Sequence, residues 1–360
     1  MAQETFDRDI KHVLGTIGAS SVQQFAVPHL VVDNVFPDEL VARINDNWPA
    51  YEDGFFAEVR GNHILQMYRR NYGGVAEKPL AFWKAFNETL WPHVVSATAD
   101  ALKGPAYEVF GKLYDKHLEL DHPLTLMQAD PSYPGHSMHQ HFYHAPHWAF
   151  TMLLYIDPDD TLSRGTSLHR LLPRSGTAKS ESSYLADDPN WLTDVAIDTF
   201  HWEDPLKPER KYAEKPVNYR SNRLFVFLDG PMALHSVPWD NEQKTANPER
   251  ARDGGRHARR RILRSHVKVH HQPFYDYHAK RLPEPIEPNS FMRLLAPNAE
   301  LSAEDRRYRD KVLHAFFRER VDAYARAAQQ PVPKRPFWER LIAAPKTEED
   351  FRSQIVERIP

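Results

Sequence analysis

The sequence predicts a mostly β protein with flanking helices, an α+β chain whose central strands roll into a barrel. Three observations carry this. The 360 residues include 29 prolines and 15 tyrosines, a loop-rich and strand-favouring composition. Residues 150–156 and 222–228 are apolar strands, the first apolar on both faces, as in a strand covered on both sides. Helical periodicity lies outside this central region.

Residues 1–24 read as a short polar helix and a linker. The opening MAQETFDRDIKHVLG is charged and lacks the apolar core of a secretory signal. Residues 29–32 form a short β-branched strand. Pro37, Asp38 and Glu39 start a helix, because proline fits the first turn and acids suit the positive end of the dipole. Leu40, Ile44 and Trp48 then recur at helical spacing. Residues 79–103 are a helical segment broken near Pro92, with Trp83, Phe86 and Leu90 on one face. Residues 124–128 are a strand, followed by a turn at Pro134 and Gly135. Residues 157–164 are a polar hairpin loop, and the return strand begins at Gly165.

Residues 173–220 read as an ordered lid or substrate wall, with Trp191, Trp202 and Arg210 where selectivity would sit. Residues 239–258 are an arginine-rich loop, 261–269 a strand, and 302 to about 329 a long charged helix. The expected organisation is one domain overall. Residues 1–120 form a supporting region, 121–270 the strand core with its 173–220 insert, and 271–360 a helical extension.

Formal net charge is −3, with 46 basic and 49 acidic residues, so bulk charge gives no attraction to nucleic acid or an anionic membrane. No apolar run approaches the roughly 20 residues of a spanning helix, and a cytoplasmic protein is the expectation. There is no cysteine, which excludes disulfides, thiolate metal sites and cysteine nucleophiles. A metal would be held by His, Asp, Glu or Tyr.

The chemistry-bearing stretch is GHSMHQHFYHAPHWAFTMLLYI, residues 135–156, with five histidines in its first thirteen positions. Residues two apart on a strand share a face, so His139 and His141 can bind one ion together. His144 points the other way unless a bulge intervenes, and His136 and His147 read as surface. NRLFVFLDGPMALHSV, residues 222–237, ends in His235, which closes the set from a second strand. Imidazole is the commonest side-chain ligand, and three ligands on one face leave positions open for O2 or substrate. Arg261 and Arg264 lie on a later strand, RRRILRSHV, where a guanidinium fork suits a carboxylate, and Ser265 offers a hydroxyl.

The order of these parts resembles the 2-oxoglutarate and iron(II)-dependent dioxygenase superfamily, of the prolyl-hydroxylase-like kind. The resemblance spans most of residues 25–270. It rests on the entry strand and helix at 25–49, Tyr133-Pro-Gly135 and HAPHWAFTMLLYI. It continues through Gly165-Thr166, the strand ending in His235, and RRRILRSHV. It implies a double-stranded β-helix (jelly roll), Fe(II), and 2-oxoglutarate as co-substrate. It also implies O2 and a small organic substrate. His235 matches the distal iron ligand. Arg261 is the first match to the residue holding the 2-oxoglutarate carboxylate, and Arg264, on the other face, is the alternative.

The sequence departs from the family at its His-x-Asp/Glu motif, since residues 135–156 contain no acid. His141 is a ligand in either register, and His139 or His144 is the third. A neutral all-imidazole set leaves more charge on the metal and favours anionic ligands. Two other readings follow from this departure. One is a three-His metal dioxygenase that does not use 2-oxoglutarate; the other is a non-catalytic jelly-roll binding protein. The 302–329 helix packs on its own barrel or on a second copy.

Overall fold

The computed structural model describes all residues except 1, 50–56, 60–61, 68–71, 73–74, 76, 121–123, 130–135, 143–144, 158–164, 173–191, 194–209, 238–259, 297–300 and 330–360. Eight strands form one antiparallel sheet. They are β1 (Gln23–Gln24), β2 (Pro28–Asp33), β3 (Ala57–Val59), β4 (Asn62–Met67), β5 (Leu124–Ala129), β7 (Trp148–Tyr155), β10 (Arg223–Leu228) and β12 (Arg260–Lys268), in the order β1-β2-β10-β7-β12-β5-β4-β3. A four-stranded sheet holds β6 (His136–His139), β8 (Thr166–Leu171), β9 (Tyr212–Val217) and β11 (His235–Val237), in the order β6-β11-β8-β9. The described residues are thus mostly antiparallel sheet with helices around it, as the composition predicts.

The strand predictions hold at β2, β5, β7, β10 and β12 to within about two residues, the usual uncertainty of an element end. Of the hairpin loop expected over 157–164, residues 158–164 lie outside the described residues, and the two strands that flank it do not pair. Both edges of β7 are already occupied, by β10 and β12, so β8 cannot pair with it and joins β11 and β9 instead. The segment expected as a lid, 173–220, ends in β9, which forms the edge of the small sheet. Trp191 and Trp202 lie outside the described residues, and Arg210 is 7% exposed.

Inner-face residues join the two sheets. The Tyr155 hydroxyl on β7 donates to Thr166 Oγ1 on β8 at 3.0 Å. Arg260 on β12 donates to the same hydroxyl at 3.3 Å and to Gly165 O at 3.4 Å. Strand β10 is wholly buried from Leu224 to Leu228; such side chains contribute about 1.5–3 kcal/mol each when fully buried.

Helices cover the outer face of the large sheet. They are α1 (Ala2–Gly18), α2 (Asp38–Asp46), α3 (Glu77–Ala85), α4 (Trp91–Phe110), α5 (Lys112–His117), α6 (His271–Ala279), α7 (Pro288–Leu295) and α8 (Ala303–Gln329). The break expected at Pro92 is a π-helical turn, Phe86–Leu90, between α3 and α4. Pro92 sits at the start of α4, where a missing N–H costs nothing. Trp91 Nε1 donates to Ser265 Oγ on β12 at 3.0 Å, which marks the face of β12 carrying Ser265 as the helix side.

His29 on β2 is buried among these layers. Its Nδ1–H donates to Val27 O at 3.0 Å, and its ring lies edge-on to Phe225 at 6.3 Å. Burial pushes its pKa down to about 4, against the opposing pull of the Val27 carbonyl. The unfolded chain protonates His29 below about pH 6.5, while the folded chain does not until about pH 4. Stability therefore falls as pH drops through that window, by on the order of 3 kcal/mol from this residue. Urea unfolding between pH 7 and pH 4 checks this, and His29→Phe flattens the curve.

Gly165 lies so close to β9 that a Cβ there would stand 1.6 Å from Val217 O. Gly165→Ala must push the two strands apart. Thermal unfolding is expected to show a loss of about 3 kcal/mol.

Candidate metal centre

His139 ends β6 and His235 begins β11, and the two are directly paired across the ladder. Direct partners in an antiparallel pair point to the same face. Their rings lie 4.2 Å apart. His141 follows two residues after His139, in the turn leading to β7, and its ring lies 5.5 Å from His139 and 4.7 Å from His235. One nitrogen from each of the three lies within 4.8 Å of the others. Two nitrogens on one face of an ion, each about 2.1 Å from it, lie about 3.0–3.4 Å apart, so capture needs the rings to close by at most about 1.8 Å. Phe227 on β10 forms an apolar wall, its ring 4.8 Å from His235.

Hydrogen bonds orient two of these rings. His235 Nδ1–H donates to Ala233 O at 2.9 Å, leaving Nε2 with its lone pair. His141 Nδ1–H donates to Asp229 Oδ1 at 3.0 Å, which leaves the lone pair on Nε2. Asp229 is 1% exposed and follows the apolar end of β10. Its other oxygen accepts from the Thr151 hydroxyl at 2.6 Å. Because Thr151 donates there, its oxygen accepts from His266 Nδ1–H, 2.9 Å away. Trp148 stacks on the His266 ring at 4.1 Å, and His266 lies 4.9 Å from His141.

His141, Asp229 and His266 form a second group close enough to hold an ion. Their facing atoms, however, already satisfy one another through Thr151. The set of His139, His141 and His235, two of them anchored through Nδ1, fits a divalent metal better, since ligating histidines commonly give their other N–H to a carboxylate or carbonyl.

Strand β12 places the two candidate arginines on opposite faces. Arg261 lies on the helix side with Ser265. Its Nη1 donates to Asn45 Oδ1 at 2.9 Å, and its guanidinium stacks over Trp48 at 5.4 Å. Arg264 lies on the inner face, between Arg260, which reaches Thr166, and His266, which reaches Thr151. Its cross-strand partners are Thr125 on β5 and Leu153 on β7. Its Nε is buried with no hydrogen-bond partner. Burial, opposed by no acid among the described residues, lowers its pKa to about 10, so it stays cationic at neutral pH.

The structure thus brings together His139, His141 and His235 and turns Arg264 inward. It places Arg261 and Ser265 in the packing against the helices. His144 lies outside the described residues. His147, read from sequence as surface, is half-buried, with its ring 5.1 Å from His271 on α6. The sequence reading missed Asp229, Thr151 and His266. The only signal for Asp229 was an acid closing an apolar strand, which also describes any Asp-Gly-Pro turn.

No family model matches the chain, and no curated protein matches it. Among solved structures, the chain is similar to a prolyl 4-hydroxylase from Phytophthora capsici, at 13% identity and a TM-score of 0.44, covering 98% of this chain and 88% of that one. It is similar to a Pseudomonas putida prolyl-4-hydroxylase at 13% identity and a TM-score of 0.36, covering 72% of this chain and 98% of that one. A prolyl hydroxylase from Trichoplax adhaerens, in complex with a hypoxia inducible factor peptide fragment, is similar at 10% identity and a TM-score of 0.36, covering 74% and 92%. Scores this low carry no weight for the chemistry, and the functional reading stands on the side chains described above.

Removing one ligand breaks a three-His set. Metal-stripped protein titrated with Co(II) in a calorimeter is expected to bind one equivalent. His235→Ala should weaken binding at least about 100-fold, since an outer-sphere partner alone is worth 10–100-fold.

Proposed function

We propose that the protein is a non-haem iron oxygenase on a double-stranded β-helix, which uses 2-oxoglutarate to oxidise a small organic substrate. The observation that carries this reading is Arg264. A partly exposed guanidinium whose Nε is buried, with no acid beside it among the described residues, is costly. It makes sense on the inner face, two residues from His266, if an anion is to be bound there. A dicarboxylate that reaches from Arg264 to the three histidines fits the arrangement.

In this reading His139, His141 and His235 hold Fe(II) from one side and leave the opposite positions open. Bound iron supplies the oxidative chemistry, with 2-oxoglutarate and O2 as co-substrates. Arg264 clamps the far carboxylate through paired N–H donors, which fixes the co-substrate's direction. Thr125, its cross-strand partner, shares that face. Phe227 and Leu153 keep the inner face apolar and strengthen each polar contact made within it.

The all-imidazole donor set favours a second reading, a three-His metal dioxygenase that does not use 2-oxoglutarate. Arg264 separates the two readings. Anaerobic addition of Fe(II) and 2-oxoglutarate is expected to give a weak visible charge-transfer band, and air should then release succinate. The absence of both would remove 2-oxoglutarate. Arg264→Met should weaken 2-oxoglutarate binding at least about 30-fold, on the order of 2 kcal/mol or more for a lost charged pair, while the melting temperature of the metal-free protein stays level or rises because a charge with no acidic partner among the described residues is gone. Arg261→Ala should change that binding by less than about threefold, as expected of a residue that does not touch it.

A further inference from the structure

We propose that Asp229 is a positioning residue that supplies, through His141, the negative charge that three neutral imidazoles lack. This rests on the three-His reading of the metal centre and goes beyond it. A divalent ion held by three neutral rings would place two uncompensated charges in a site walled by Phe227 and by buried strands. Asp229, 1% exposed, is bonded directly to the back of one of those rings.

The geometry makes Asp229 specific for this role. An ionised carboxylate only accepts, so His141 Nδ1 carries the proton and Nε2 faces the ion. Thr151 donates to the second oxygen and takes a hydrogen bond from His266, which stacks on Trp148. The carboxylate is therefore held from both sides. Its backbone is held as well: Asp229 N donates to Ala149 O at 3.0 Å, and the Tyr324 hydroxyl of α8 donates to Asp229 O. At Gly230 a Cβ would stand 2.3 Å from the Tyr324 ring, so α8 presses directly on this turn. A charge fixed behind His141 makes its Nε2 a stronger donor and pins the ring's direction.

The test uses Co(II), whose visible bands report ligand number and geometry without turnover. Metal-stripped wild type, Asp229→Asn and His141→Ala are titrated with Co(II), and the melting temperature of each metal-free protein is measured. Asparagine keeps the shape and an accepting oxygen for His141, removes the charge, and reverses the Thr151 bond, since its amide N–H donates where the carboxylate accepted. Asp229→Asn is expected to bind Co(II) about 10- to 100-fold more weakly, with shifted bands and a metal-free melting temperature no lower than wild type. His141→Ala should lose the site. Equal affinity and spectra in wild type and Asp229→Asn overturn the proposal while the metal centre stands. A loss of affinity matched by a fall in metal-free stability also overturns it, because the role is then structural. Wild type that binds no Co(II) ends the metal-centre reading and this inference together. Should Asp229→Asn fail to fold, NMR of the Zn(II)-loaded wild type decides. A strongly deshielded His141 Nδ1 proton supports the carboxylate bond, and its absence overturns the proposal.

Discussion

The pairing of His139 with His235 across the β6–β11 ladder is the contact on which the rest of the site depends. The two residues are almost a hundred positions apart in the chain. Their register is fixed because β11 is also held by β8 on its other side, where His235 pairs with Leu168. A one-residue slip would turn either ring to the opposite face. The small sheet holds its place over the large one through inner-face bonds such as Tyr155 to Thr166. His141 then needs only a short turn, closed by Ala145 N donating to His141 O, to bring its ring under the pair.

Charge is distributed unevenly around that pair. Among the described residues, the Asp229 carboxylate stands behind His141, and the Arg264 guanidinium lies further along the inner face of β12. Buried charges survive when they are paired or hydrogen-bonded. Asp229 meets that condition within the chain, through His141 and Thr151. Arg264 does not meet it through any acid of the described residues, and the pull of burial on its pKa reflects this. Places where a fold breaks a rule obeyed elsewhere are where function is expected.

Much of this was legible in the sequence, and the illegible part has physical causes. The apolar runs of β7 and β10 and the helical spacing of α2 gave the architecture because burial on both faces, or on one helical face, leaves a periodic trace. The sharing of one face by His139 and His141 was readable from their spacing, whereas His235, expected at the end of the 222–237 strand, begins a separate strand, β11. Which of Arg261 and Arg264 faces inward was not readable. Both faces of β12 are covered, so Ile262 and Leu263 are equally buried and alternation does not say which face is inward. Asp229 and Thr151 were hidden for a related reason. One looks like a turn residue and the other like a tolerated hydroxyl in an apolar strand, and only the pairing of β7 with β10 and β12 makes them neighbours of His141 and His266. The expected β7–β8 hairpin failed because local sequence reports a turn but not which strand edges are already taken.

The helical layer contributes to the centre as well as covering it. Tyr324 on α8 anchors the carbonyl of Asp229, while Trp91 on α4 holds the opposite face of β12 through Ser265. These two contacts reach the site from outside the sheets and act on its two halves, the carboxylate behind His141 and the strand that carries Arg264. A side chain that must hold direction within a few tenths of an ångström needs support of this kind. That is a physical reason for a small sheet of short strands, β6 and β11, to be packed against a large sheet whose other face is bolted to helices. The short strands carry His139 and His235, and the layer beneath holds Asp229 and Arg264 in place.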